Sequence, residues 1–202
     1  MTPSTTRPSA IKHQASRRQV LRCLGAAGVA AVLGPRPWAQ ADARRDVPTP
    51  PELTQALPQA RLQGSSRFRY YGFHVYDAQL WVPPTFEAAK LFSQPFALCL
   101  IYARSLKARD IAERSIEEMR RQTTLSEAEA QRWLQAMTAA FADVRNGDRL
   151  TGLYQPDGSA SFFLNGQATQ VINDKRCATL FFGIWLSSAT SAPALRRDLL
   201  GV

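Results

Sequence analysis

The apolar positions of residues 148–186 predict a β-meander that runs into a helix. Arg149–Gln155 reads as a strand closed by Pro156-Asp157-Gly158, where Pro presets φ, Asp bonds locally and Gly takes φ > 0. Ser159–Leu164 follows, then Asn165-Gly166, a pair that tolerates positive φ and so favours a two-residue hairpin turn. Gln167–Ile172 is the third strand. Asn173 or Asp174 then caps a helix in which Cys177, Leu180, Phe181, Ile184 and Trp185 recur at i, i+3, i+4, i+7 and i+8. Such a stripe needs a sheet to cover it. An α+β layer follows.

Upstream, the period switches between two and 3.6. Arg61–Gly64 and Ser65–Tyr71 read as short strands, the second with Phe68 and Tyr70 on one face and Arg67, Arg69 and Tyr71 on the other. Phe73–Val82 is a long strand with apolar residues on both faces, as in a strand covered on each side. Thr85 caps a short helix to Leu91, and the continuous apolar run Pro95–Arg104 predicts a buried strand. Leu106–Gln122 is amphipathic, with Ala108, Ile111, Ala112, Ser115, Ile116 and Met119 on one face and dense charge on the other. Ser126 and Glu129 form a capping box that opens a second helix, ended by Asn146-Gly147. Pro193–Leu200 makes a last helix closed by Gly201.

The first residues follow another logic. A basic stretch ends at Arg22, an apolar run extends from Leu24 to Leu33, and Ala39-Gln40-Ala41 supplies a small-x-small cleavage pattern. Residues 1–41 are therefore expected to be an export signal. The run is too short to cross a bilayer as a helix, which takes about 20 residues. Ser16-Arg17-Arg18-Gln19-Val20-Leu21-Arg22 resembles the twin-arginine export motif; the alternative is an ordinary secretory signal that carries two arginines. Residues 42–58, with Pro48, Pro50, Pro51 and Pro58, read as a mobile leader, and 59–202 as one domain. A periplasmic or secreted location is expected.

Charge and cysteine content then narrow the function. The net charge of +9 is concentrated in residues 1–41, which hold six basic residues and no acidic one, leaving 19 basic against 16 acidic. Without a polybasic block or an aromatic-interleaved basic patch, nucleic-acid binding is not expected. Cys99 and Cys177 each sit in an apolar run and read as small hydrophobes, although export would permit a disulfide. With His74 as the single histidine after residue 41, no metal site and no cofactor are expected.

Two groups of motifs stand together in this order: Gly64-x-x-Arg67 before the aromatic strand Phe73–Trp81, and Asn146-Gly147-Asp148 before the meander, Phe182-Gly183-Ile184-Trp185-Leu186 and Leu195…Leu199-Leu200-Gly201. Over about residues 60–202 the chain resembles the bacterial branch of the chalcone isomerase-like family. The resemblance implies an open-faced β-sandwich, a curved antiparallel sheet with helices on one face and a cleft between them. Plant members include chalcone isomerases and non-catalytic fatty-acid-binding proteins. The isomerases use an Arg in the first hairpin, a Thr on the next strand, a Tyr and an Asn on the following helix and a later hydroxyl. Here Arg67, Tyr76, Ile111, Glu118 and Thr179 take those places, so the bridging polar network is replaced and chalcone isomerase activity is not expected.

The resulting expectation is a monomeric, non-catalytic domain. Its cleft would bind a small hydrophobic ligand such as a fatty acid, with Arg67 pairing the carboxylate and Tyr76 or Thr179 donating hydrogen bonds. Two alternatives remain. One is an isomerase- or lyase-like enzyme, for which Glu118 or His74 would supply the acid or base. The other is a structural or partner-binding domain, which a cavity under about 300 Å³ would favour.

Overall fold

The computed structural model describes residues 47–202, so the expected export signal and the first residues of the leader lie outside the described residues. The strands run β1 (Arg61–Tyr70), β2 (Phe73–Val82), β3 (Phe96–Tyr102), β4 (Arg149–Tyr154), β5 (Ser159–Leu164) and β6 (Gln167–Asn173). They form one six-stranded sheet in sequence order, every neighbouring pair antiparallel. A single helical turn, α1 (Leu53–Ala56), precedes the sheet. Helices α2 (Ala108–Gln122) and α3 (Glu127–Ala140) interrupt it between β3 and β4, and α4 (Lys175–Leu186) and α5 (Pro193–Leu200) follow β6. This is the α+β, open-faced sandwich anticipated above.

Local chemistry sets the element ends. Ser126 and Glu129 make a reciprocal capping box on α3, and Asp174 accepts from Cys177 N to start α4. Asn165 and Gly166 carry φ of 50° and 88°, the left-handed pair of a tight hairpin turn. The short helix expected after Thr85 is a 3-10 segment over Ala88–Ser93, where Gln94 ties back to Glu87 and Lys90. Arg61–Tyr70 is one strand rather than two, bulged between Leu62 and Gly64. Gly64 is required there: a Cβ would stand 2.1 Å from the Asp198 carbonyl oxygen and 2.5 Å from that of Leu199, because α5 lies directly on this strand.

The main core lies between the sheet and the four longer helices. Phe96, Tyr154, Phe162, Phe181 and Phe182 meet there in edge-on and stacked pairs with centroids 4.9–5.7 Å apart. The opposite face of the sheet is covered too, by the segment expected to be a mobile leader. Over its described part, that segment folds: Leu53 and Leu57 are buried against Trp81, Ala97, Cys99 and Leu153. Its prolines end and bend a short strap without preventing apolar residues between them from docking. Cys99 and Cys177 are free and belong to different clusters, one beneath the strap and one in the main core. Burial pushes both thiols up to about 12, so they remain protonated fillers of the core.

Candidate functional site

A cavity of about 280 Å³ opens between the sheet and helices α2 and α4. Its floor is aromatic and aliphatic: Phe68, Tyr76, Leu100, Tyr102 and Leu150 from four adjacent strands. Helix α2 contributes Ile111, Ser115 and Glu118, and α4 contributes Phe181, Ile184 and Trp185. Exposed Tyr70, Arg104, Asp110 and Arg114 line the mouth. Helical spacing explains the walls. Residues 111, 115 and 118 stack on one side of α2, as do 181, 184 and 185 on α4.

The polar groups facing this space are few and specific. Trp185 Nε1 donates to Tyr76 Oη at 2.9 Å, so the Tyr76 hydroxyl keeps its own proton to donate. Tyr102 Oη has no protein partner among the described residues, and its ring meets that of Tyr76 edge-on at 5.8 Å. Burial raises both phenols well above the ordinary tyrosine value, so each enters the site as a neutral O–H donor. Glu118 is buried in the wall, and Arg114 donates to its Oε1. Arg121 stands 3.5 Å away on the same oxygen. Arg114 also holds Glu117 at 3.0 Å, so its charge is shared between two carboxylates. Arg104 forms no ion pair among the described residues; its guanidinium lies 5.9 Å from the Phe73 ring centroid.

The three residues expected to form the site are dispersed. Tyr76 lines the cavity. Arg67 does not: it is exposed on the other side of the sheet, bidentate to Asp77 at 2.8 and 3.3 Å. The cause is a bulge. The Tyr71-Gly72 turn sets Tyr70 opposite Phe73 and Arg69 opposite His74, and an unbroken ladder would put Arg67 beside Tyr76. Instead Val75 is an extra residue, so Phe68 stands opposite Tyr76 and Arg67 opposite Asp77. Phe68 then stacks on Tyr76 at 4.9 Å, and Val75 reaches the cavity as well.

Thr179 also lies outside the cavity, half-buried on α4. Two residues along a helix rotate a side chain by about 200°, which turns it away from Phe181 and toward the side of Gly183. Gly183 is where Gln122 of α2 packs, its Nε2 donating to Leu180 O at 2.8 Å. Ile111 and Glu118, by contrast, both occupy the cavity wall. His74 sits with Asp77 outside it, with Nε2 3.2 Å from Asp77 Oδ1.

Arg104, Arg114 and Tyr102 were not singled out by sequence reasoning. Tyr102 carried a usable signal, since strand pairing sets it opposite Tyr76. Arg104 carried little, as one of several basic residues in the loop after an apolar strand. Chemically, the assembled site offers a greasy floor, two neutral donors and, at the entrance, a cation without an ion-pair partner among the described residues. It can hold an elongated apolar molecule with an anionic end. Among the described residues no cluster of His, Cys, Asp and Glu is arranged to hold a metal ion.

The comparisons agree with this architecture. A model of the chalcone isomerase-like family matches residues 43–201, which takes in the strap as well as the sheet and helices. A fatty-acid binding protein of Arabidopsis thaliana has a similar fold, with a TM-score of 0.56 at 12% identity over 71% of this chain and 87% of that one. No curated protein sequence matches the chain.

Proposed function

The chain belongs to the chalcone isomerase-like family, and from that premise we propose that it is an exported, non-catalytic domain that binds a small hydrophobic acid, a fatty acid being the leading candidate. The observation that carries this reading is the pairing of empty apolar space with unspent polar valence. The Tyr76 and Tyr102 hydroxyls and the Arg104 guanidinium all border the cavity with hydrogen-bonding capacity to spare. A carboxylate at the mouth would take Arg104, while the alkyl chain lies on Phe68, Leu100 and Leu150. At about 280 Å³ the cavity falls just under the ordinary range for ligand pockets, which begins near 300 Å³. That volume lies on the side expected of a structural or partner-binding domain; the open mouth is what supports a ligand, a short or slender chain held partly in the entrance. Export is supported by the basic stretch, apolar run and cleavage pattern of residues 1–41.

Delipidated protein titrated with straight-chain carboxylic acids, followed by tryptophan fluorescence to which Trp185 of the cavity wall contributes, should show saturable binding. Arg104→Ala should weaken the acid by roughly tenfold, the worth of one charge-assisted contact, and leave the matching alcohol unchanged. No saturation by acids of any length would end this reading. A second reading has its own observation, the Glu118 carboxylate in the cavity wall. It would be an enzyme with Glu118 as base, and turnover of a small enone or hydroxy acid abolished by Glu118→Gln would establish it.

A further inference from the structure

The tip of the β1–β2 hairpin is the most apolar exposed point of the described structure. Tyr71 is 85% exposed, Phe73 66% and Tyr70 47%, whereas Val171 and Val202 are the other large apolar side chains so exposed among the described residues. Folding does not call for these rings. Tyr71 and Gly72 hold φ of 47° and 82°, the two-residue turn that favours Asn-Gly, and the β5–β6 hairpin uses Asn165-Gly166 at the same angles within a few degrees. A tyrosine there carries left-handed strain and buries little in return.

Two arginines beside the tip carry charge that no carboxylate among the described residues takes up. Arg69 and Arg104 form no ion pair among the described residues, whereas Arg67 is held by Asp77, Lys107 by Asp143, Arg109 by Glu113 and Arg114 by Glu117 and Glu118. Arg69 Nη1 donates to Gly72 O at 3.2 Å, and Arg114 lies 5.5 Å from the Tyr70 ring as Arg104 does, at 5.9 Å, from Phe73. Rings and guanidinium groups are therefore interleaved at one convex end. Asp110 lines the cavity mouth beside Tyr70, and Arg114 is shared with Glu117 and Glu118, so Arg69 and Arg104 are the charges left for a partner.

We propose that this tip docks on an anionic lipid bilayer, its rings in the interfacial zone and its arginines against lipid phosphates. Aromatic rings with polar edges partition to that zone, and basic side chains beside them are attracted by the surface potential. A two-residue turn is too small for a protein interface, which takes about 800 Å² from each partner, but is sufficient to wedge shallowly among headgroups. Tyr70, Arg104 and Arg114 belong to both the tip and the cavity mouth, so docking points the entrance at the membrane. Docking itself does not require an occupied cavity.

The test is co-sedimentation of the protein, without added fatty acid, with vesicles of pure phosphatidylcholine and of an equal mixture with phosphatidylglycerol. Binding is expected to the mixed vesicles only, and to weaken with salt. The double variant Tyr71→Asn, Phe73→Ser replaces no cavity-lining residue; it should melt at or above the parent temperature, keep fatty-acid binding in solution and lose about tenfold or more in vesicle affinity. Failure of the parent protein to sediment with mixed vesicles, or equal sedimentation of the double variant, overturns the proposal whether or not the cavity binds acids. Self-association lost in the double variant, without vesicle binding, overturns it as well and assigns the tip to a second copy of the chain.

Discussion

The two faces of the sheet each bury a carboxylate, and the two are finished differently. On the strap side, the Glu52 side chain is wholly inaccessible; Arg149 Nε and Nη2 donate to it at 3.0 and 2.9 Å, and the Thr151 hydroxyl at 2.6 Å. Leu53 and Leu57 of the same strap are buried in the apolar cluster on that face. On the helix side, Glu118 is 7% exposed, its Oε1 is engaged by arginines, and it looks onto a cavity where neighbouring hydroxyls have protons to spare. Burial of charge is common to both. What separates a fastening from a site is unsatisfied valence beside empty volume.

If that contrast is right, the strap side should govern stability and the helix side affinity. The largest expected effect is from Leu53→Ala, which removes a fully buried side chain and should cost about 3 kcal/mol. Glu52→Ala should cost nearly as much, because breaking a buried pair costs about 3–5 kcal/mol and Arg149, 27% exposed, recovers part of that from water. Denaturant unfolding measures both, and acid titration of the surviving folded protein should show unchanged affinity. A strap variant that altered affinity with stability intact would dissolve the distinction.

Next in size is Tyr76→Phe. It takes away the acceptor of Trp185 Nε1 and leaves a nearly buried indole N–H without a partner, a loss of about 1–2 kcal/mol in stability. Ligand affinity should fall in the same variant, through the lost O–H. Tyr102→Phe sharpens the comparison, because no protein group donates to or accepts from its hydroxyl among the described residues. Affinity should fall there with stability unchanged, as read by unfolding and titration side by side.

Acid should act through the strap. Burial alone would raise the Glu52 carboxyl above its ordinary 4.5, but the donors on Arg149 and Thr151 prevail and hold it lower. The unfolded chain therefore takes up its proton first as pH falls. The contribution of Glu52 is whole above pH 4.5 and is lost as pH falls through the depressed native value. Asp174, which caps α4 and accepts from Trp133 Nε1 at 2.8 Å, is also depressed and adds to the same slope. Melting temperature recorded from pH 7 downward should drop below about 4.5, and less steeply in Glu52→Gln. An unchanged slope in that variant would deny Glu52 its role.

Most of the fold was legible in sequence because local rules agree with one another along it. The Phe73–Val82, Ser159–Leu164 and Pro193–Leu200 boundaries coincide with observed elements, each fixed by a turn pair, a proline or a helical stripe. The strap was misread because proline content speaks for extended backbone and says nothing about whether Leu53 and Leu57 find a surface. The site was legible only in its helical walls and in Tyr76. Arg67 was misplaced by a one-residue bulge at Val75, and no pattern of apolar and polar residues announces such an insertion when both faces of the strand are apolar. Arg104 drew no attention because its meaning lies in having no ion-pair partner among the described residues, a property of three-dimensional surroundings.

The smallest expected effect is from Arg67→Ala, and it is the most discriminating between the site read from sequence and the one the sheet builds. Arg67 and Asp77 are 54% and 37% exposed, on the strap side of β1–β2 and beyond the strap's apolar contacts. Such pairs are screened by water and salt, and their partners rehydrate when separated. The pair still leaves a trace in titration: burial would raise Asp77, but the hydrogen bond from Arg67 and the charges of Arg67 and His74 hold it below its ordinary value. Removing Arg67 should let Asp77 titrate higher, visible by NMR, while melting temperature at neutral pH and fatty-acid affinity stay within error of the parent. An Arg67→Ala protein that lost acid affinity as Arg104→Ala is expected to do would return the carboxylate to the first hairpin and remove Arg104 from the site.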